Sequence, residues 1–372
     1  MHDTPEKVKL FTDLELIRFG FPVEILIPFI GLFNGEDNPG KMMSSRFNEF
    51  AARGKELIEL TDLDEADACL LPIYYIFGDE EPAFLENIKC FLDKVVKSRK
   101  KIIVFTGHDR PVYDIRIDNA IIFNSAINKS VQPSNVFAYP HFFEDYIRIY
   151  RNNELSVRQK GATPVIGFCG FAPPVGLRFG RSKVIGMLKL AANYLGIMKK
   201  YPARASHSYR ARAIIGLRRS KKISTNFRIK STIAFGPQGQ LNTGNTVESD
   251  DVFRRNFVNN IVDSDYTLCV RGIGNNSIRF FESLCCGRIP VFVNTDCVLP
   301  FDNQINWKSM CIWVEAHDID KIDKIVLNFH QSRSNDQLIE LQKKIRSVWE
   351  EYLTPVGFYK HIKFFLDLPE KV

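Results

Sequence analysis

"YTLCVRGIGNNSIRFFESLCCGRIPVFVN", Tyr266 to Asn294, is the stretch that decides the fold. An apolar run of strand length ends at Arg271, and a loop of glycine, asparagine and serine follows. An amphipathic helix then runs to a stop at Gly287 and Pro290, where a second apolar run begins. Strand, loop, helix, strand is the repeating unit of a parallel sheet covered by helices. Ligands of such sheets bind beyond the carboxyl ends of the strands, which is where Arg271 stands. Gly272 and Gly274 would let the backbone take positive φ and approach a ligand closely. Asn275, Asn276 and Ser277 open the helix, where unpaired N–H groups and the helix dipole favour an anion. Ile278, Phe281 and Cys285 share one helical face, while Arg279 and Glu282 share another. Arg279 would offset the charge of a diphosphate, and Glu282 is placed to accept hydrogen bonds from two ribose hydroxyls. On these residues alone a plainer alternative stays open: Asn276 as a helix cap, and Arg279 with Glu282 as a surface ion pair. Neither a GxGxxG fingerprint nor a Gly-Lys-Ser/Thr loop is present.

The same alternation extends outward in both directions. Upstream, "VEILIPF", "ACLLPIYY", "KIIVFT", "AIIFNS" and "NVFAYP" read as strands, separated by amphipathic helices in "FNEFAARGKELIEL" and "PAFLENIKCFLDKVVKSR". A polar link from Arg151, "RNNELSVRQKGATP", resets the pattern. Beyond it come strand "VIGFCGF", loop "APPVGLRFG", helix "SKVIGMLKLAANYLGIMKK", strand "STIAFG" and helix "DDVFRRNFVNNIV", then the opening motif and a last strand, "CIWVE". The tail is helical, and Ser334 with Gln337 has the spacing of a capping box. The expectation is an α/β protein of two Rossmann-like domains with parallel sheets, at 1–155 and 156–335, and C-terminal helices at 336–372 that cross back to the first.

Length and composition agree, since 372 residues with 45% hydrophobic and 25% charged suit two cores rather than one. No apolar run reaches the roughly 18 residues of a membrane span, and the first residues lack the apolar core of a signal peptide, so a cytoplasmic protein is expected. Eight cysteines without CxxC spacing read as buried reduced thiols, and seven histidines without HExxH give no expected metal site. The net charge of +7 is uneven: Leu155 to Val247 holds 17 Lys and Arg and no Asp or Glu, leaving the remainder at −10. One region of the chain therefore faces an anion.

The run from Ser264 to Trp307 resembles the signature of the exostosin family, glycosyltransferase family 47. The residues that carry it are Ser277, Arg279 and Glu282; Gly287, Pro290 and Val291; Leu299, Pro300 and Phe301; and Trp307. "VIGFCGFAPPVGLRFGRSKVIGML" and "VFTGHDR" are similar to two further family elements, while the first 100 residues carry no match. The resemblance implies a GT-B fold, in which two Rossmann-like domains face one another across a cleft. It also implies inverting transfer from a nucleotide sugar, a UDP-sugar foremost, to a glycan or glycoconjugate acceptor without a required cofactor or metal. Family members usually carry a membrane anchor, and none is expected from this sequence.

A metal-free transfer needs cations and amides to hold the leaving diphosphate. Arg271, Arg279 and the amides of Asn275 to Ser277 form one set, and Arg178, Arg181 and Lys183, after the strand that ends near Gly170, form a second. It also needs a base for the acceptor proton. The strand exits of the first domain offer His108 and Asp109, Glu36 and Asp37, or Asp79 to Glu81, and the sequence does not choose among them. Asp263 to Asp265 matches a metal-binding Asp-x-Asp but precedes its strand, the wrong end for a ligand site. Two other classes remain in view: a binder of nucleic acid or of an anionic membrane surface through the basic 199–230 segment, and a relative that binds glycan without turnover. No nucleic-acid motif is visible, so peripheral membrane contact is the more natural partner for that segment, and nucleic acid is not expected.

Overall fold

The computed structural model describes residues 7–31, 45–107, 115, 117–172, 204–230 and 250–369. The chain divides into two compact units: Met1–Asn153 with Asp296–Asn306 and Ser347–Val372, and Glu154–Thr295 with Trp307–Arg346. The expected α/β class holds in each.

Unit 1 carries six strands: β1 (Val8–Phe11), β2 (Ile58–Leu60), β3 (Ala68–Leu70), β4 (Ile102–Phe105), β5 (Ala120–Asn124) and β6 (Val136–Ala138). They pair in parallel in the order β2-β1-β3-β4-β5-β6. Every residue of β3, β4 and β5 is buried, because helices cover both faces of a parallel sheet, and that makes these strands continuous apolar runs. One expected strand is absent. "VEILIPF" is instead a 3-10 turn, Glu24–Leu26, running into the short helix α1 (Ile27–Ile30) with Pro28 in its first turn. Proline lacks the ladder N–H of a strand but fits a helix start. The place of that strand is taken by β1, and β2 grows out of the end of α2 (Asn48–Leu57). Helices α3 (Glu81–Ser98) and α4 (Tyr146–Tyr150) follow. Phe84, Ile88, Phe91 and Val95 form the buried face of α3.

Unit 2 carries β7 (Val165–Phe171), β8 (Ser224–Lys230), β9 (Tyr266–Cys269), β10 (Ile289–Asn294) and β11 (Ile312–Glu315), parallel in the order β11-β10-β9-β7-β8. The winding direction reverses between β7 and β9, so the crevice at their carboxyl ends is the topological switch point of this sheet. Helices α5 (Arg204–Arg219), α6 (Asp250–Val262), α7 (Ile278–Cys285), α8 (Ile322–Gln331) and α9 (Asn335–Val348) complete the unit. β8 and α5 occupy a basic stretch in which the sequence shows no pattern. As the edge strand, β8 keeps polar residues that a central strand would not. The expected loop "APPVGLRFG", helix "SKVIGMLKLAANYLGIMKK" and strand "STIAFG" lie outside the described residues.

The division differs from a single crossing near residue 155, because the segment Asp296–Asn306 returns to unit 1. There Cys297 bridges Asn128, and the Phe301 ring lies 5.6 Å from Phe358 and 5.2 Å from Phe365. Those rings belong to α10 (Pro355–Lys360) and α11 (Lys363–Leu366), which stack on Phe123 of β5 at 5.4 and 5.0 Å. Aromatic packing thus fixes the last helices to the first sheet. Phe301 holds a φ of 52°, the left-handed region.

The capping box at α9 is formed: the Ser334 amide donates to Gln337 Oε1 at 2.8 Å and the Gln337 amide donates to Ser334 Oγ at 3.2 Å. Ser334→Ala is expected to lower stability by about 1 kcal/mol in urea unfolding, with Ser334→Thr close to neutral. Cys69, Cys169, Cys269, Cys285, Cys286 and Cys311 are buried free thiols as expected, whereas Cys90 is exposed on α3. No helix among the described residues is long and apolar enough to cross a membrane.

Candidate anion-binding site

The switch point of unit 2 gathers arginines. Arg279, in the first turn of α7, reaches back to β7, where its Nη2 donates to the Cys169 carbonyl. Its guanidinium lies 4.0 Å from the centre of the Phe257 ring on α6, and its Nε is 3.2 Å from Glu282 Oε2. Arg210 on α5 enters the same crevice from the other side. Its Nη1 donates to the Phe171 carbonyl at 2.7 Å, and its Nη2 bonds the carbonyls of Val270 at 3.3 Å and Arg271 at 3.1 Å. These are the carboxyl-terminal exits of β7 and β9. Burial, and secondly the charge of Arg279, pull the Arg210 guanidinium down to about 10. Nη1 of Arg279 and Nε of Arg210 are buried donors without a hydrogen-bond partner among the described residues. Buried N–H groups left over in this way cost free energy unless an acceptor arrives. A further cation, the buried Arg254, lies 5.3 Å from the centre of the same Phe257 ring.

The loop between β9 and α7 supplies a further cation and the helix start. Arg271 is half-buried, with its Nη2 on the Ile273 carbonyl at 3.2 Å. Two expectations are corrected here. Gly272 and Gly274 do not take positive φ; Gly272 instead leaves open space, since a Cβ there would meet nothing within 4 Å. The helix start is also less open than its composition implies. Asn275, Asn276 and Ser277 are buried, Asn275 Oδ1 accepts from the Thr295 hydroxyl at 2.7 Å, and the opening to solvent is at Arg271, Gly272 and Ile273. Ser277 is the N-cap residue but makes no side-chain cap bond.

The faces of α7 differ from the expectation as well. Phe280, Phe281, Leu284 and Cys285 are buried, with Phe280 against Phe292 and Trp307, while Ile278 is exposed. Glu282 is buried beside Arg279, so the i, i+3 pair exists but is not a surface pair.

Sequence reasoning missed Arg210 and Arg254. Within the basic 199–230 segment only the fold separates one arginine from another, and Arg254 lies outside it, on α6. Arg210 is tied to carbonyls, Arg212 pairs with Asp320 at 2.6 Å, and Arg218 lies 5.7 Å from the Phe227 ring. Arg178, Arg181, Lys183, His108, Asp109, Glu36 and Asp37 lie outside the described residues. The strand exit that singled out Glu36 and Asp37 is not a strand exit, because α1 precedes them. Asp79 and Glu80 are exposed, and Glu81 accepts from the Tyr75 hydroxyl at 2.7 Å. Asp265 anchors the opposite end of the sheet, taking the Val165 amide at 2.8 Å and Arg158 Nε at 2.6 Å.

Residues 217–329, which include the loop and α7, match the model of the exostosin GT47 domain. Over 90 residues the chain is 32% identical to Exostosin-1 of Drosophila melanogaster, covering 24% of this chain and 11% of that protein. Over 109 residues it is 29% identical to the Exostosin-1 homolog of Caenorhabditis elegans, covering 29% and 28%. The matched stretches therefore span well under half the length of these relatives. A solved glycosyltransferase from Rickettsia africae overlays 97% of this chain on 98% of its own at 11% identity, with a TM-score of 0.35, below the level of a shared fold.

Proposed function

We propose that this chain, an exostosin-family protein through residues 217–329, is a glycosyltransferase that moves a sugar from a nucleotide sugar, a UDP-sugar foremost, to a hydroxyl of a glycan. The observation that carries the proposal is the pair of half-buried arginines at the switch point, Arg210 and Arg279, each with a donor left over. Among the described residues the hydrogen bonds of Arg210 all go to carbonyls, with the Phe168 ring 5.9 Å from its guanidinium and no carboxylate bonded to it, so an anion is the partner that would complete it.

In an inverting displacement the acceptor oxygen bonds the anomeric carbon as the bond to the diphosphate breaks, and negative charge grows on the departing phosphate. Arg210, Arg271 and Arg279 would meet that charge with fixed guanidinium groups in a site of low dielectric. Glu282 holds the fork of Arg279 in register, and a ribose contact from the same carboxylate belongs to this proposal. The donor set here is cationic, which suits a diphosphate neutralised by side chains without a divalent ion.

The test is thermal unfolding with UDP. At about 100 times its dissociation constant UDP is expected to stabilise the native protein by about 3 kcal/mol, with EDTA making no difference. Arg210→Ala should lose most of that shift. An identical shift in native protein and Arg210→Ala would remove the arginine pair from the donor site, and heparin or DNA raising the melting temperature where UDP does not would favour the polyanion binder.

A further inference from the structure

Unit 1 holds a cavity of about 370 Å³ at the amino ends of its strands, the side of that sheet away from the strand exits. It lies where β5 and β6 begin, against α11 and the turn of the returning segment. Ala120 of β5 and Phe365 of α11 are buried in its lining, and Phe137 of β6 is half-buried, its ring 5.1 Å from that of Phe365. Asn119, Ser134 and Asn303 line it too and are exposed, so the cavity opens to solvent. All of these residues belong to unit 1. The volume falls within the roughly 300–1,000 Å³ of small-molecule sites, which combine apolar and aromatic walls with a few polar groups.

The lining decides which chemistry fits. Lys101 is its one cation among the described residues, and its Nζ donates to the Leu366 and Leu368 carbonyls at 2.5 and 2.8 Å, tying down the end of the chain. No carboxylate lines the cavity among the described residues. A phosphate would therefore meet one engaged ammonium group, and a metal ion no anionic ligand. The remaining polar groups are neutral. Asn135 donates its Nδ2 to the Ala120 carbonyl at 3.0 Å and keeps its side-chain oxygen, and Asn119 donates to the Arg99 carbonyl at 3.5 Å. The side chains of Ser134 and Asn303 make no hydrogen bond among the described residues. Amide and hydroxyl groups offer donors and acceptors together, which is what sugar hydroxyls require. The Phe137 ring adds an apolar face suited to the C–H side of a sugar ring.

A peptide strand also carries neutral donors and acceptors, but the edge of the sheet is closed to it. β6 is the last strand in its order, yet the Val136 amide donates to the Pro133 carbonyl at 3.2 Å, and the Val136 carbonyl accepts from Gln132 Nε2 at 2.7 Å. An added strand would find these groups taken.

We propose that this cavity is a second ligand site, one that binds a short neutral saccharide. Phe137 stacks against a sugar ring, while Ser134, Asn135 and Asn303 exchange hydrogen bonds with its hydroxyls. The lining alone carries this, whether or not unit 2 takes a nucleotide sugar.

The test is ligand-observed NMR and calorimetry on the full chain with maltotriose, cellotriose and chitotriose. At least one is expected to bind saturably. Ser134→Leu with Asn303→Leu removes the hydroxyl and the amide and narrows the mouth. Affinity should fall at least about tenfold, with the melting temperature unchanged because both side chains are exposed and unbonded. Asn303→Ala leaves the mouth open and should give a smaller loss in the same direction. Failure of all the sugars to bind native protein, or equal affinity in native protein and the double variant, overturns the assignment. So does binding of a heparin tetrasaccharide or of tetra-alanine in their place, with that binding lost in the double variant. The UDP-induced thermal shift should be equal in the two proteins; a shift lost with the double change would merge this cavity with the donor site and end its standing as a second one.

Discussion

Arg279→Ala is expected to lower the proposed sugar transfer by about 100- to 1,000-fold, the range found when one preorganised donor to a developing anion is removed. The size follows from how firmly the side chain is fixed before any ligand arrives. Phe257 under its plane, the Cys169 carbonyl and Glu282 define a single position for the fork, so no reorganisation accompanies charge development. Lysine is a poor substitute, since it supplies a point charge without the plane that stacks on Phe257. Alanine also leaves Glu282 buried without its cation, and breaking such a pair from one side costs about 3–5 kcal/mol. The double change Arg279→Met with Glu282→Gln separates the two effects. It should recover most of the melting temperature and none of the transfer. Recovery of kcat/KM along with stability would show that Arg279 acts only on the fold.

The second large effect concerns stability alone. Arg288, just before β10, is fully buried, and among the described residues its hydrogen bonds go to backbone carbonyls and a glutamine side chain rather than to a carboxylate. Its Nε and Nη2 both bond the Val262 carbonyl, at 3.1 and 2.8 Å, and Nη2 also takes Ser156 at 2.7 Å. Nη1 reaches the carbonyls of Cys286 and Gly287 and the Gln342 side chain at 3.3, 3.4 and 3.3 Å. One guanidinium thus serves the end of α6, the turn after α7, the chain entering unit 2, and α9. Burial pulls its pKa down to about 10, leaving it charged at neutral pH. Arg288→Met keeps the volume but orphans these acceptors, with an expected loss of about 3–5 kcal/mol in denaturant unfolding of the native chain. A loss below about 1 kcal/mol would mean that water replaces the guanidinium.

The legible parts of this fold were those in which one residue type does one job. β4, β5 and β10 are covered on both faces and so spell themselves out as apolar runs. The loop and helix from Arg271 to Glu282 were recognised because glycine, asparagine and arginine have few other reasons to sit together at a strand exit. Where the reading failed, a tertiary partner decided. "VEILIPF" has the hydrophobicity of a strand, but Pro28 and the bridge from Pro22 to Ile73 turn it into a helix start. Arg210 is indistinguishable in sequence from Arg212 and Arg218, and its role comes from carbonyls 39, 60 and 61 residues away. The stretch that resembles the exostosin signature hides a division of labour: Arg279 and Glu282 line the crevice of unit 2, whereas Phe301 packs the core of unit 1.

The return of Asp296–Asn306 and of Ser347–Val372 to unit 1 has a consequence for how the polypeptide matures on the ribosome. When residue 153 emerges, the first sheet has been synthesised, yet the rings of Phe301, Phe358 and Phe365 that dock beside Phe123 are still encoded ahead. The nascent unit 1 therefore waits with an apolar face uncovered until residues 355–366 have been synthesised. Chaperone occupancy should persist through that interval and end only as α10 and α11 leave the exit tunnel.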